Sequence, residues 1–155
     1  MSDYTPATHG SFTIERIFDA KPARVFAAFA EPAARATWFA GPAGWTRTEC
    51  SLDFRVGGTE IAAGTWANGR RTCFTARFEE IVPDRRIVYS YHMHLDDLHI
   101  SISLATVEIV PDGDKTKLSF TEHCTFINGY DDPNAAGRKQ GSEGLLERLE
   151  AFVTA

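Results

Sequence analysis

Cysteine is scarce in this chain. The three present, Cys50, Cys73 and Cys124, are odd in number, widely spaced and form no CxxC pair. That usage suits reduced thiols acting as small buried apolar side chains, and a cytoplasmic location is expected. Long hydrophobic runs are missing as well: none approaches the about 18 apolar residues of a membrane span, and the polar segment Met1 to Gly10 lacks a signal-peptide core. Positive charge is in deficit, with a formal net charge of -5. Phosphate-backbone binding needs clustered Lys and Arg, so nucleic acid is not an expected partner. The basic doublets Arg70-Arg71, Arg85-Arg86 and Arg138-Lys139 read as solvated edges at turns. No GxSxG, HExxH, Walker loop or dinucleotide-binding glycine fingerprint occurs, so nucleotide and cofactor enzymes are not expected and no cofactor is implied. Repeats, low-complexity tracts and linkers are also absent. A chain of 155 residues buries about two-thirds of its unfolded surface, enough for one core. The expected organisation is a flexible terminus over residues 1–10 and a single domain over 11–155.

What is present is a series of strand patterns with turn chemistry between them. Ser11 to Asp19 alternates Phe12, Ile14, Arg16 and Phe18 against Thr13, Glu15, Ile17 and Asp19, the period of a half-buried strand. Pro22 and Pro32 stand at helix-opening positions and predict two short helices, the second ending near Trp38-Phe39. After the breakers Gly41, Pro42 and Gly44, strands are predicted over 48–54, 59–66, 71–82, 85–93, 99–110 and 115–126. Their corners are Gly57-Gly58, Asn68-Gly69, Pro83-Asp84 and Pro111-Asp112-Gly113-Asp114. The period then changes. Leu145, Leu146, Leu149, Phe152 and Val153 form one apolar helical stripe, with Gly141 and Gly144 read as points of close backbone approach. Such a helix must bury its stripe, and the concave face of a curved antiparallel sheet is the only large apolar partner. The fold class is therefore α+β.

The order of elements, together with Phe18-Asp19-Ala20-Lys21-Pro22-Ala23-Arg24-Val25-Phe26, Arg55-Val56-Gly57-Gly58 and Ile81-Val82-Pro83-Asp84, resembles the START-like helix-grip superfamily, also called SRPBCC. Within it the chain is similar to the activator of heat-shock-protein-90 ATPase homologues, as a bacterial stand-alone form. Thr121-Glu122-His123, Phe126-Ile127-Asn128-Gly129-Tyr130-Asp131-Asp132 and Gly141-Ser142-Glu143-Gly144-Leu145-Leu146 resemble a subgroup often labelled polyketide cyclase. The resemblance, over about residues 11 to 153, implies a seven-stranded antiparallel sheet around a long C-terminal helix, two short helices after strand one, and a mostly apolar cavity between sheet and helix. Eukaryotic co-chaperone members carry an additional N-terminal domain that nothing before residue 11 matches, so a co-chaperone role is the less expected. Many relatives have Gly-Trp where this chain has Gly144-Leu145.

Eleven Phe, four Tyr and three Trp concentrate in inward stripes that suit an apolar or aromatic ligand. The expected lining is Trp38, Phe74, Phe78, Tyr91, Phe120, Glu122, Phe126, Tyr130 and Leu145. Glu122 shares a stripe with Leu118 and Phe120, as Arg16 does with Ile14 and Phe18. An inward charge must be paired or await a polar ligand head, which makes Glu122 a candidate acid/base beside Tyr91 or Tyr130. Two loops are candidate closures of the cavity, Tyr130-Asp131-Asp132-Pro133 and Trp38-Phe39-Ala40-Gly41-Pro42, with Asp132 or Asn134 as helix N-cap. His92, His94 and His99 flank a hairpin bearing Asp96-Asp97, but a metal site needs more fixed ligands than this turn offers, and none is expected. The leading expectation is a binding protein for a hydrophobic, aromatic or lipid-like small molecule. The alternatives are a cyclase- or dehydratase-like enzyme using the same cavity, and a chaperone-regulating or stress-response module. Homodimerisation is compatible with such a domain, and no residue pattern marks an interface.

Overall fold

The structure, a computed structural model, describes residues 4–155. Strand β1 (Thr8–Phe18) leads into helices α1 (Pro22–Ala30) and α2 (Pro32–Trp38), each opened by proline at its first position. Six strands follow: β2 (Trp45–Leu52), β3 (Thr59–Trp66), β4 (Arg71–Val82), β5 (Arg86–Leu95), β6 (Leu98–Asp112) and β7 (Lys115–Phe126). A single 3-10 turn over Pro133–Ala135 then enters helix α3 (Ala136–Val153). All pairings are antiparallel in the order β1-β7-β6-β5-β4-β3-β2, giving one curved sheet with β1 and β2 at its edges. Among the described residues no helix is long and apolar enough to cross a membrane.

The α+β helix-grip architecture expected from the sequence is the one found. Strand boundaries at β3, β4 and β7 coincide with expectation, because uninterrupted alternation ends there at turn residues. Gly57 takes φ +83, and a Cβ on Gly58 would stand 2.1 Å from the Asp53 carbonyl oxygen, so the paired glycines make a corner no side chain fits. Differences arise where alternation is interrupted. β1 begins three residues earlier than expected, at Thr8, since Thr8, His9 and Gly10 pair with Phe126, Thr125 and Cys124. β2 begins at Trp45 rather than Thr48 because Trp45 pairs with Trp66, and a register shift between Arg47 and Glu49 hides the period from the sequence.

One apolar core joins the sheet to all three helices. Leu146, Leu149 and Val153 of α3 pack with Phe12, Ile14, Phe18, Val25, Phe29, Ile87, Val107, Ile109 and Leu118. Leu145 and Phe152 flank that stripe, half-buried, and the Arg24 guanidinium lies over the Phe152 ring at 4.8 Å. Cys124 is buried as expected, whereas Cys50 is exposed because edge strand β2 has no layer covering it. Gly141 and Gly144 do not mark close approach. A Cβ at Gly141 would meet nothing within 4 Å, and one at Gly144 only the end of the Arg148 side chain.

Candidate functional site

The sheet carries small side chains where its neighbours carry rings. Register places Phe78, Tyr89, Ala105, Glu122 and Phe12 in one transverse row, Ala76, Tyr91, Ser103, Cys124 and Gly10 in the next, and Phe74, Met93, Ser101 and Phe126 in the third. The β6 residues Ser101, Ser103 and Ala105 therefore form a low strip between tall aromatic walls. Facing it, the first turns of α3 present Gly137, Arg138, Gly141 and Ser142. Arg138 fills the space over Ser101 and Ser103, and beside it an open cavity of about 330 Å³ lies between sheet and helix, with small Ala62 on the sheet wall and Gly137 and Gly141 on the helix wall. Its rim includes Phe39, Ala40, Gly41, Pro42, Trp45 and Trp66 on one side and Tyr130 and Asp132 on the other.

A buried polar cluster forms part of the wall. Tyr91 donates its hydroxyl to Glu122 Oε1, and Ser142 Oγ donates to Glu122 Oε2 at 3.1 Å. Arg138 donates to the Tyr91 hydroxyl at 2.8 Å, to Ser103 Oγ at 3.2 Å and to Ser101 Oγ at 2.9 Å. Its guanidinium also lies 5.4 Å from the Phe126 ring centre. Asp132 fixes this arginine by accepting from the Gly137 and Arg138 backbone amides at 2.8 and 2.9 Å; the N-cap position of α3 itself falls on Ala135 rather than on Asp132 or Asn134, because the 3-10 turn over Pro133–Ala135 intervenes. Burial pushes the Glu122 carboxyl above its ordinary value, opposed by the Tyr91 hydrogen bond and the Arg138 charge. The Tyr91 phenol is pushed well up, first by burial and then by the Glu122 charge.

A second buried charge pair lies behind the cavity. Arg35 Nε and Nη2 donate to the two Glu60 carboxylate oxygens at 2.9 Å each, and the guanidinium sits 3.6 Å over the Phe39 ring. Tyr89, in the cavity wall, feels this pair: burial raises its phenol, the Arg35 charge opposes that, and Glu122 and Glu60 add to it. Arg148 donates to the Trp38 and Ala40 carbonyls at 3.4 and 2.6 Å, tying the 38–42 loop to α3.

Of the residues singled out from the sequence, Phe74, Tyr91, Phe120, Glu122, Tyr130 and Leu145 come together around the cavity. Trp38, Phe78 and Phe126 do not border it. Trp38 is packed under the loop with its Nε1 donating to the Ala28 carbonyl at 2.8 Å, Phe78 packs on Phe54 and Tyr89, and Phe126 packs against Tyr130. Arg16 points inward as expected but stays partly exposed, 3.6 Å from Glu143 rather than beside Glu122. Arg138, read from the sequence as a solvated edge, is instead drawn into the interior, because Ser101, Ser103 and Tyr91 supply acceptors and the cavity supplies room. Tyr89, Trp45 and Trp66 also border the cavity. Tyr89 carried a signal in its inward stripe, while Arg138 carried none that a solvated doublet lacks. At the β5–β6 hairpin, His92 Nδ1 lies 2.9 Å from His99 Nε2 and His94 stacks on His99, and among the described residues no cluster is arranged to hold a metal.

An antiparallel sheet gripping a C-terminal helix, with a cavity between them, defines the helix-grip class. Residues 19–154 match the family described as activator of Hsp90 ATPase homolog 1-like protein, and the chain belongs to that family. A protein from Rhizobium loti of solved structure is 43% identical, with 96% of this chain and 99% of that one covered and a TM-score of 0.87. A second, from Rhizobium leguminosarum, is 40% identical over 96% and 97%, with a TM-score of 0.90. A third, from Chromobacterium violaceum, is 28% identical over 94% and 98%, with a TM-score of 0.79. No curated protein matches the sequence. Fold and family imply a ligand-binding or regulatory domain.

Proposed function

We propose that this protein binds a hydrophobic small molecule, aromatic or lipid-like, between the sheet and α3. The observation that carries the reading is the coincidence of an open cavity of about 330 Å³, walls built from Phe39, Trp45, Trp66, Phe74, Tyr89 and Phe120, and a buried polar cluster on one wall. Rings supply contact area at low entropic cost, and a few fixed polar groups set orientation. Binding belongs to residues 11–155 acting as one domain, with Leu145 and Tyr130 beside the ligand and Phe74, Tyr91, Phe120 and Glu122 beneath it. Trp38, Phe78 and Phe126 support those walls from behind. Native mass spectrometry of gently purified protein, followed by denaturing extraction, tests this. A stoichiometric apolar compound is expected, and a protein that neither retains one nor takes up an added aromatic probe contradicts the reading.

A second reading rests on the Tyr91, Glu122 and Arg138 contacts. A carboxyl whose proton affinity is raised by burial, bonded to a phenol that an arginine polarises, is equipped to pass a proton to or from a bound carbonyl compound. On this reading the protein is a cyclase- or dehydratase-like enzyme. Turnover of a bound compound that is lost in Glu122→Gln while binding persists would favour it over simple binding. The family description also motivates a chaperone-regulating role, which stimulated hydrolysis by a co-purified chaperone ATPase would support.

A further inference from the structure

The two tyrosines of β5 that face the cavity stand two residues apart on one side of the sheet, and each has an arginine at its hydroxyl end, Arg35 buried and Arg138 half-buried. Their hydrogen bonding differs. Tyr91 is spent: its proton goes to Glu122 and its oxygen accepts from Arg138. Glu122 is spent too, with Tyr91 and Cys124 on one oxygen and Ser142 on the other. Asp132 is occupied by two backbone amides, and Trp45 Nε1 by Thr72 Oγ1 at 2.9 Å. Tyr89 is different. It is 4% exposed and borders the cavity, with Arg35 at its oxygen, yet no side-chain acceptor takes its hydroxyl proton among the described residues. The carboxylate behind it, Glu60, is engaged by Arg35 through both oxygens and makes no bond to Tyr89. Glu122, in the same transverse row across Ala105, is turned instead toward Tyr91.

A phenol proton that faces a cavity with no acceptor in the chain is an unspent donor, and it is available to an acceptor from outside the chain. We propose that the Tyr89 hydroxyl is the anchoring donor of the site, and that its ligand is an apolar, ring-containing molecule bearing an acceptor oxygen, a ketone, ester or phenolic ether. Arg35 lies beside the Tyr89 hydroxyl, and a cation in that position polarises the O–H and strengthens its donation to a neutral carbonyl. The neighbouring rings Phe74 and Phe78, with centres 6.3 and 6.1 Å from Tyr89, keep water from competing on the core side. Glu60 already neutralises Arg35 and Glu122 stands close by, so no free positive charge awaits an anionic head and a neutral acceptor is the better match than a carboxylate.

This inference rests on the cavity-binding reading, and a matched pair of probes separates the two. 2-Acetonaphthone and 2-ethylnaphthalene share a ring system and differ chiefly in the acceptor oxygen. Titrated against the quenching of tryptophan fluorescence, the ketone is expected to bind wild type about three- to tenfold tighter than the hydrocarbon, the ratio worth one hydrogen bond. Tyr89→Phe, which removes one oxygen and keeps the ring, is expected to bring that ratio to about one. A ratio that survives Tyr89→Phe, or that is already near one in wild type, overturns the anchoring role and leaves the cavity reading standing. Failure of both probes to bind overturns the cavity reading and this inference with it. A thermal melt of Tyr89→Phe within a few degrees of wild type shows that the comparison is made on folded protein.

Discussion

Arg35 and Glu60 meet in a bidentate ion pair almost wholly withdrawn from water, with side-chain exposures of 5% and 4%. One sits in α2 and the other on β3, so the pair locks the short helices to the sheet just behind the cavity wall. Removing one partner strands the other charge in a low-dielectric interior. Glu60→Ala is expected to destabilise the fold by about 3–5 kcal/mol, and the joint change Arg35→Met with Glu60→Leu by much less. Urea unfolding of the three proteins checks this, and equal losses for the single and double variants would contradict it.

Glu122 makes stability depend on pH in a stated direction. Its folded carboxyl holds the proton more tightly than the ordinary value of 4.5, because burial outweighs its donors. Folded protein therefore binds more protons than unfolded between the two values, and stability falls as pH rises through that window. Wild type is expected to lose stability relative to Glu122→Gln as pH climbs from about 4.5 toward neutrality. A flat difference between the two across that range would count against a raised carboxyl.

Trp45 reaches the cavity rim only because residue 64 has no side chain. A Cβ there would stand 2.2 Å from the Trp45 ring. Gly64→Ala should swing the indole away, break its bond to Thr72, and cost about 1–3 kcal/mol by overpacking. A red-shifted tryptophan emission together with weakened binding of a naphthalene probe is the expected signature.

Leu145 borders the cavity from α3 without belonging to the fully buried core. Leu145→Trp is expected to fill part of the open volume, lowering probe affinity by tenfold or more while shifting the melting temperature by only a few degrees. Calorimetric titration and a thermal scan on the same sample check both halves.

How much of this was legible in the sequence depends on how local each cause is. Period-two alternation bounded by Gly, Pro and Asp fixed β3, β4 and β7, because a strand's face and ends are decided within a few residues. Glu122 was found inward for the same reason. The cavity was another matter: alternation says which side chains point in, never whether they meet atoms or space. Trp38, Phe78 and Phe126 point inward and meet atoms, whereas Phe74 and Phe120 border space that Ala62, Gly137 and Gly141, distant in sequence, leave open. Arg138 was hidden most thoroughly. Its acceptors lie on β5 and β6, 35 to 47 residues away, and an Arg-Lys doublet carries no trace of them.

Helix α3 divides its labour along its length. Leu146, Leu149 and Val153 in its second half are bolted into the core, and Arg148 bolts the same half to the 38–42 loop. Its opening turns, with Gly137, Arg138, Gly141 and Ser142, face the cavity and hold the sheet through the polar bonds of Arg138 and Ser142 rather than through apolar packing. The helix is therefore a handle with an adjustable tip: side chains grafted at Gly141, where a Cβ meets nothing within 4 Å, would re-tune what the cavity accepts while Arg138, Ser142 and the grip that holds the fold together stay as they are.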